Sequence, residues 1–129
     1  MTYTLSRLMS ASTLAYGGYA LAEPRHLGAF LTSAEPRQAE YDLLARTYGA
    51  RDLVVGSLGL FGRSERTVTT AMVARIAFDL SDGLLLAARA EDEDTRAKVL
   101  GITWGYAALN ALALLADRHR ARRKRPLSR

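Results

Sequence analysis

Three features of the sequence predict an all-α fold: a four-helix, up-down-up-down antiparallel bundle placed across a membrane. The apolar residues gather into four blocks of roughly membrane-spanning length, no stretch alternates with period two, and the links between the later blocks are short. The 129 residues, 49% of them hydrophobic, fit one domain with a single core. The bundle is expected over residues 1–117 and a basic tail over 118–129. With no cysteine, three prolines and 24% charged residues, the chain is neither disulfide-stapled nor low-complexity, and a cysteine nucleophile is excluded. The mean hydropathy of -0.05 conflicts with the four apolar blocks.

Block one runs from about Leu5 to Ala22, with Leu5, Leu8, Met9, Leu14, Tyr19 and Leu21 at helical intervals and Ser6, Ser10, Thr13 and Gly17 on another face. Glu23-Pro24 ends it, because the residue before proline is disfavoured in the α region. A rival reading is a signal peptide cleaved near Ala20-Leu21-Ala22. Block two extends from Gln38 to Phe61 and stops at Gly62, a natural helix C′ residue. Block three covers about Thr67 to Ala90. Block four covers about Thr95 to Asp117, and the acidic run Glu91–Asp94 lies where it favours the helix N-terminus.

Charge then decides which blocks could insert. Between Val99 and Ala116 eighteen residues carry no charge, and fifteen uncharged residues run from Leu8 to Ala22 with Arg7 placed to snorkel. Block three instead carries Arg75, Asp79 and Asp82, each costing about 2.5–3.5 kcal/mol at a helix centre, and block two carries Arg51 and Asp52. Those two cross a bilayer only if their charges face inward and satisfy one another. Arg63, Arg66 and the tail on one side, against Arg25, Arg37, Arg96 and Lys98 on the other, predict a multi-pass membrane protein with both termini cytoplasmic. The tail supplies seven positive charges, including Arg129, and an anionic leaflet attracts such a segment at about 1 kcal/mol per basic residue. The alternative is a cytoplasmic, soluble bundle with a solvated basic tail.

The segment Arg46-Thr47-Tyr48-Gly49-Ala50-Arg51-Asp52-Leu53-Val54-Val55-Gly56 resembles the signature of a family of small bacterial and fungal four-helix membrane proteins of unknown function. Ala22-Glu23-Pro24-Arg25 and the third block, with Arg75, Asp79 and Asp82-Gly83, are similar to the same family. The resemblance spans roughly Leu5 to Leu86. It implies a four-helix integral membrane fold and brings no established reaction.

Arg75, Asp79 and Asp82 are spaced i, i+4 and i+7, which places them on one helix stripe, and Tyr48, Arg51 and Asp52 lie within one turn of another helix. If these faces close inward, two guanidinium groups meet three carboxylates. One carboxylate is left over, and desolvation with like-charge repulsion would raise its pKa toward that of a general acid. Asp79 is then the candidate base, Asp82 or Asp52 the acid, and Arg51 and Arg75 the groups that position them. Tyr16, Tyr48, Trp104, Tyr106 and Asn110 are the candidate ligand-binding residues. The Asp-Arg-Asp grouping is similar, chemically only, to that of limonene-type epoxide hydrolases, which have a different fold.

This reading predicts a site for a small hydrophobic molecule with acid-base chemistry such as epoxide opening, cyclisation or isomerisation. The alternative is a non-enzymatic membrane subunit or transport-related protein in which Arg-Asp pairs are structural, and a soluble bundle binding an apolar ligand comes third. No cofactor is implied. His26 and His119 form no i, i+4 pair, so no metal site is expected. Membrane lipids and self-association are the other expected partners. Specific nucleic-acid binding is not expected, because no aromatic residue interleaves the tail arginines.

Overall fold

The computed structural model describes residues 2–33 and 35–126. These form five α-helices, α1 (Thr4–Ala22), α2 (Arg25–Leu31), α3 (Gln38–Phe61), α4 (Glu65–Arg89) and α5 (Glu93–Lys124), with a short 3-10 turn before α3. The four apolar blocks correspond to α1, α3, α4 and α5, so the four-helix expectation is corrected by α2. Pro24 explains the difference. A proline stops the helix before it yet opens the next one, since its missing N–H has no partner in a first turn anyway, and Pro24 sits in the right-handed helical region at φ -64°. Seven residues are too few to show a periodic pattern. Leu27, Gly28 and Leu31 nevertheless bury one face of α2.

Local signals set the remaining ends. The Ser64 hydroxyl accepts from the Thr67 amide at 3.1 Å at the start of α4, and Asp92 accepts from Thr95 at 2.7 Å at the start of α5. The α1 N-terminus lacks a cap of its own: Tyr3 lies in the left-handed region at φ 58° and makes no side-chain cap bond. Asp117 of α5 takes over that role. Its carboxylate accepts from Ser6 N at 2.6 Å and from Leu5 N at 3.4 Å, tying the first turn of α1 to the last third of α5.

α1 and α3 make the most intimate interface, and small residues permit it. The buried stripe of α1 is Ser6, Ser10, Thr13, Gly17 and Ala20, while Leu8, Tyr19 and Leu21 point outward. A Cβ on Gly56 would lie 2.7 Å from Leu14 N, and one on Gly17 would lie 2.8 Å from Gly49 O. The two backbones are therefore in direct contact, and glycine is required there for lack of space.

The apolar core is split. One cluster, including Leu27, Leu31, Tyr41, Ala45 and Leu86, fills one end of the bundle; Tyr3, Val68, Met72, Ala113 and Leu114 fill the other. Between them lies a buried polar layer containing Thr13, Asp52, Arg75, Asp79 and Asn110.

The multi-pass membrane expectation, with both termini cytoplasmic, is corrected as well. Among the described residues one helix, α5, is long and apolar enough to cross a membrane by length and composition. Hydroxyl and glycine residues dilute α1, and the central charges interrupt α3 and α4, so a loop-charge argument that needs four crossings has only one to work with. α5 also continues through Lys124, which makes Arg118–Lys124 helical. Arg129 lies outside the described residues.

Candidate functional site

α3 and α4 bring all five charged candidates together at mid-height in the bundle. Arg51 reaches from α3 to Asp82 on α4 with two parallel bonds, Nη1 to Oδ1 at 3.0 Å and Nη2 to Oδ2 at 2.5 Å, the bidentate geometry that suits a guanidinium best. Its Nη2 also lies 3.4 Å from Asp52 Oδ1. Arg75 of α4 pairs in both directions, placing Nη1 2.7 Å from Asp52 on α3 and Nη2 2.8 Å from Asp79 one turn along its own helix. The Nη1 contact is ionic and lies off the N–H axis. Arg75 Nε adds a hydrogen bond to Asp79 Oδ2 at 3.2 Å. Asp52 is thus shared by two arginines, and it is 1% exposed.

Aromatic rings close over both cations. The Arg51 guanidinium carbon lies 4.7 Å from the Tyr48 ring centre and 4.4 Å from that of Phe78, and the Arg75 carbon lies 5.0 Å from the Tyr106 ring. The Tyr106 hydroxyl bonds Ser12 of α1 and donates to Met9 O at 3.3 Å. The layer is thereby joined to α5 and, through Tyr106, to α1.

Burial and charge pull on these groups in opposite directions. Desolvation opposes the charge on Arg51 and Arg75, yet their carboxylate partners hold both above the ordinary arginine value. For Asp79 burial dominates. It pushes the carboxyl up to about 7 against the pull of Arg75, with repulsion from Asp52 and Asp82 adding to the rise. Burial likewise pushes the Tyr48 phenol up to about 12. The Tyr48 hydroxyl and Arg51 Nε are buried without a hydrogen-bond partner among the described residues.

A cleft of about 250 Å³ flanks the layer and is lined in part by Tyr16, Tyr48, Tyr106 and all five charged groups. Trp104 and Asn110 are not among its lining residues. Trp104 is half-exposed and donates to Leu80 O at 3.2 Å, while Asn110 is wholly buried and donates to Tyr106 O at 2.8 Å. Tyr16 instead bonds His26 at the rim, at 2.9 Å. Phe78, Ser12 and Asp117 belong to the polar architecture and escape sequence reasoning. Phe78 reads as an apolar neighbour of the charged stripe and Asp117 as the last residue of block four.

The catalytic expectation is corrected by this geometry. It requires one carboxylate free to activate water and another free to donate a proton. In the structure each of the three is held in an ion pair, Asp52 by both arginines, Asp82 by Arg51 and Asp79 by Arg75, so none stands clear of a cation. The network is a structural one, and neither a hydrolase nor a cyclase site is assigned to it.

No family model, curated protein or solved structure matches the chain. The resemblance of Arg46–Gly56 to a four-helix integral membrane family is corrected accordingly: the chain folds as five helices with one candidate span.

Proposed function

We propose that the chain is a non-enzymatic helical subunit, associated with a membrane through α5, in which the Arg51/Asp52/Arg75/Asp79/Asp82 layer is an internal clasp. The observation that carries this reading is the sharing of Asp52: one carboxylate on α3 sits between Arg51 at 3.4 Å and Arg75 at 2.7 Å. Shared ion pairs between two helices suit the fixing of helix register, a known use of buried charge. Slipping α3 against α4 by one turn, about 5.4 Å, would separate the two pairs that cross between the helices, Arg51–Asp82 and Arg75–Asp52, and leave Asp82 buried without its cation. Such a layer contributes little net stability as a whole, but penalises every misaligned packing. What the molecule does for its cell is then done by its surface.

Urea unfolding tests the clasp. Arg51→Met leaves Asp82 and Asp52 short of a cation and is expected to cost about 3–5 kcal/mol. Adding Asp82→Leu removes one orphaned charge and should restore most of that loss. An Arg51→Met variant as stable as the parent chain would refute the reading, because groups kept for catalysis commonly stabilise a protein when removed.

A further inference from the structure

The packing order gathers an excess of basic residues at one end of the bundle. Asp117 caps α1, Arg7 donates to Leu60 O at 2.8 Å, and Arg125 pairs with Glu65 at 3.2 Å, so the start of α1, the end of α3, the start of α4 and the end of α5 share one end. There Arg7, Arg63 and Arg66 join the six basic residues of Arg118–Arg125, opposed by Glu65 and Asp117. The other end is mixed in charge: Glu91, Asp92, Glu93 and Asp94 lie in sequence beside Arg96 and Lys98, and Asp94–Lys98, Glu40–Arg89 and Asp42–Arg25 form pairs there. Among the described residues Arg118, Arg120, Arg122, Arg123 and Lys124 make no ion pair, and Arg122–Lys124 are exposed.

The face of α5 leading to that basic end is uncharged from Val99 to Ala116, about 27 Å of helix. It is also outward. Ile102, Leu109, Leu112 and Leu115 are 62%, 56%, 64% and 64% exposed, at positions that recur along one side of the helix. A surface helix of a bundle ordinarily carries its polar residues there.

We infer that this outer face of α5 and the basic end of the bundle form one docking surface for an anionic phospholipid bilayer. The apolar side chains enter the acyl boundary while Arg118–Lys124 lie among the phosphates, a combination of two signals of the kind stable membrane attachment needs. Charge complementarity selects this occupant: a cationic stretch continuous with an uncharged face matches a negatively charged headgroup layer over hydrocarbon. The inference rests on the proposed function for its view that the protein acts through its surface. It does not depend on the clasp.

Sedimentation of the full chain with vesicles tests it, comparing phosphatidylcholine alone with phosphatidylcholine containing phosphatidylserine at physiological salt. Strong binding is expected only with phosphatidylserine. Each basic residue near such a surface is worth about fivefold in affinity, so R122Q/R123Q/K124Q should weaken binding roughly 100-fold. L109Q/L112Q alters exposed positions alone and should also weaken binding, by tenfold or more. Circular dichroism verifies that both variants fold. Equal binding to the two vesicle types, or none, overturns the inference. So does full binding by L109Q/L112Q with loss in the tail variant, which would mark the tail as a general polyanion binder. A dimer in light scattering that L109Q/L112Q dissolves, with no vesicle binding, would show that a second copy covers the face. Asp79→Asn separates the two proposals: this folded variant alters the clasp alone and should bind vesicles as the parent chain does, so loss of binding in it would overturn the docking surface, whereas the urea series on Arg51 tests the clasp without any vesicle.

Discussion

Removing Arg75 should expose the energetics of the ionic layer most sharply. Its side chain is 10% exposed and holds Asp52 at 2.7 Å and Asp79 at 2.8 Å, carboxylates that are themselves 1% and 4% exposed. Arg75→Met keeps most of the side-chain volume, leaves Asp79 without a cation and leaves Asp52 with Arg51 alone. Breaking a buried pair in this way costs about 3–5 kcal/mol, a large part of the 5–15 kcal/mol typical of a domain. For 129 residues the unfolding entropy is about 0.27 kcal/mol/K at the midpoint, so the loss corresponds to a fall in Tm of roughly 11 to 18 °C. The pH dependence gives the diagnosis. At pH 5 Asp79, already poised near 7 in the parent chain, accepts a proton and ceases to need a cation, so the penalty should shrink to about 1–2 kcal/mol. Thermal melts followed by circular dichroism at pH 5 and pH 8 measure both values. A deficit under about 1 kcal/mol at pH 8, or one identical at the two pH values, would refute the reasoning.

Further outcomes follow from single contacts. The Asp79 carboxyl, raised from 3.8 to about 7 in the folded chain, binds a proton that the unfolded chain has released, so its contribution to stability is greatest below pH 4 and is lost as pH rises to 7. Discounted for solvent on the cleft side, this is about 2 kcal/mol, and Asp79→Asn should flatten that slope in melts between pH 4 and pH 8. Gly56→Ala forces a Cβ against Leu14 N and should cost about 1–3 kcal/mol, whereas Gly18→Ala, with nothing within 4 Å, should gain about 0.5–1 kcal/mol; urea midpoints compare them. Asp117→Ala should cost about 1–2 kcal/mol and speed hydrogen exchange at the Leu5 and Ser6 amides, the groups it caps.

Much of this layout is legible in the sequence because its signals are local. Gly62 marks the end of α3, and the i, i+4, i+7 spacing puts Arg75, Asp79 and Asp82 on one stripe of α4. What stays hidden depends on contacts between distant segments. Asp117 reads only as the last residue of the fourth block until α1 is brought to within 2.6 Å of it. The inward face of α1 is its small polar stripe, which hydrophobicity alone would send outward; backbone proximity to Gly49 and Gly56 reverses that choice. Counting two arginines against three aspartates suggests a carboxylate without a partner, and only in three dimensions does each arginine serve two carboxylates so that all three have a contact; the excess negative charge shows instead in the raised Asp79. Uncharged run length also overstates the membrane character of α1, where serine, threonine and glycine fill the gaps between leucines.

Register between α3 and α4 can be measured directly, because the chain has no cysteine to interfere with site-specific labelling. Spin labels at the exposed positions Val54 on α3 and Val73 on α4 report the relative placement of the two helices as a distance distribution. The parent chain should give one narrow distribution, and Arg51→Met/Arg75→Met should broaden it or add a population displaced by about one helical turn, 5.4 Å. A folded double variant with an unchanged narrow distribution would contradict the clasp.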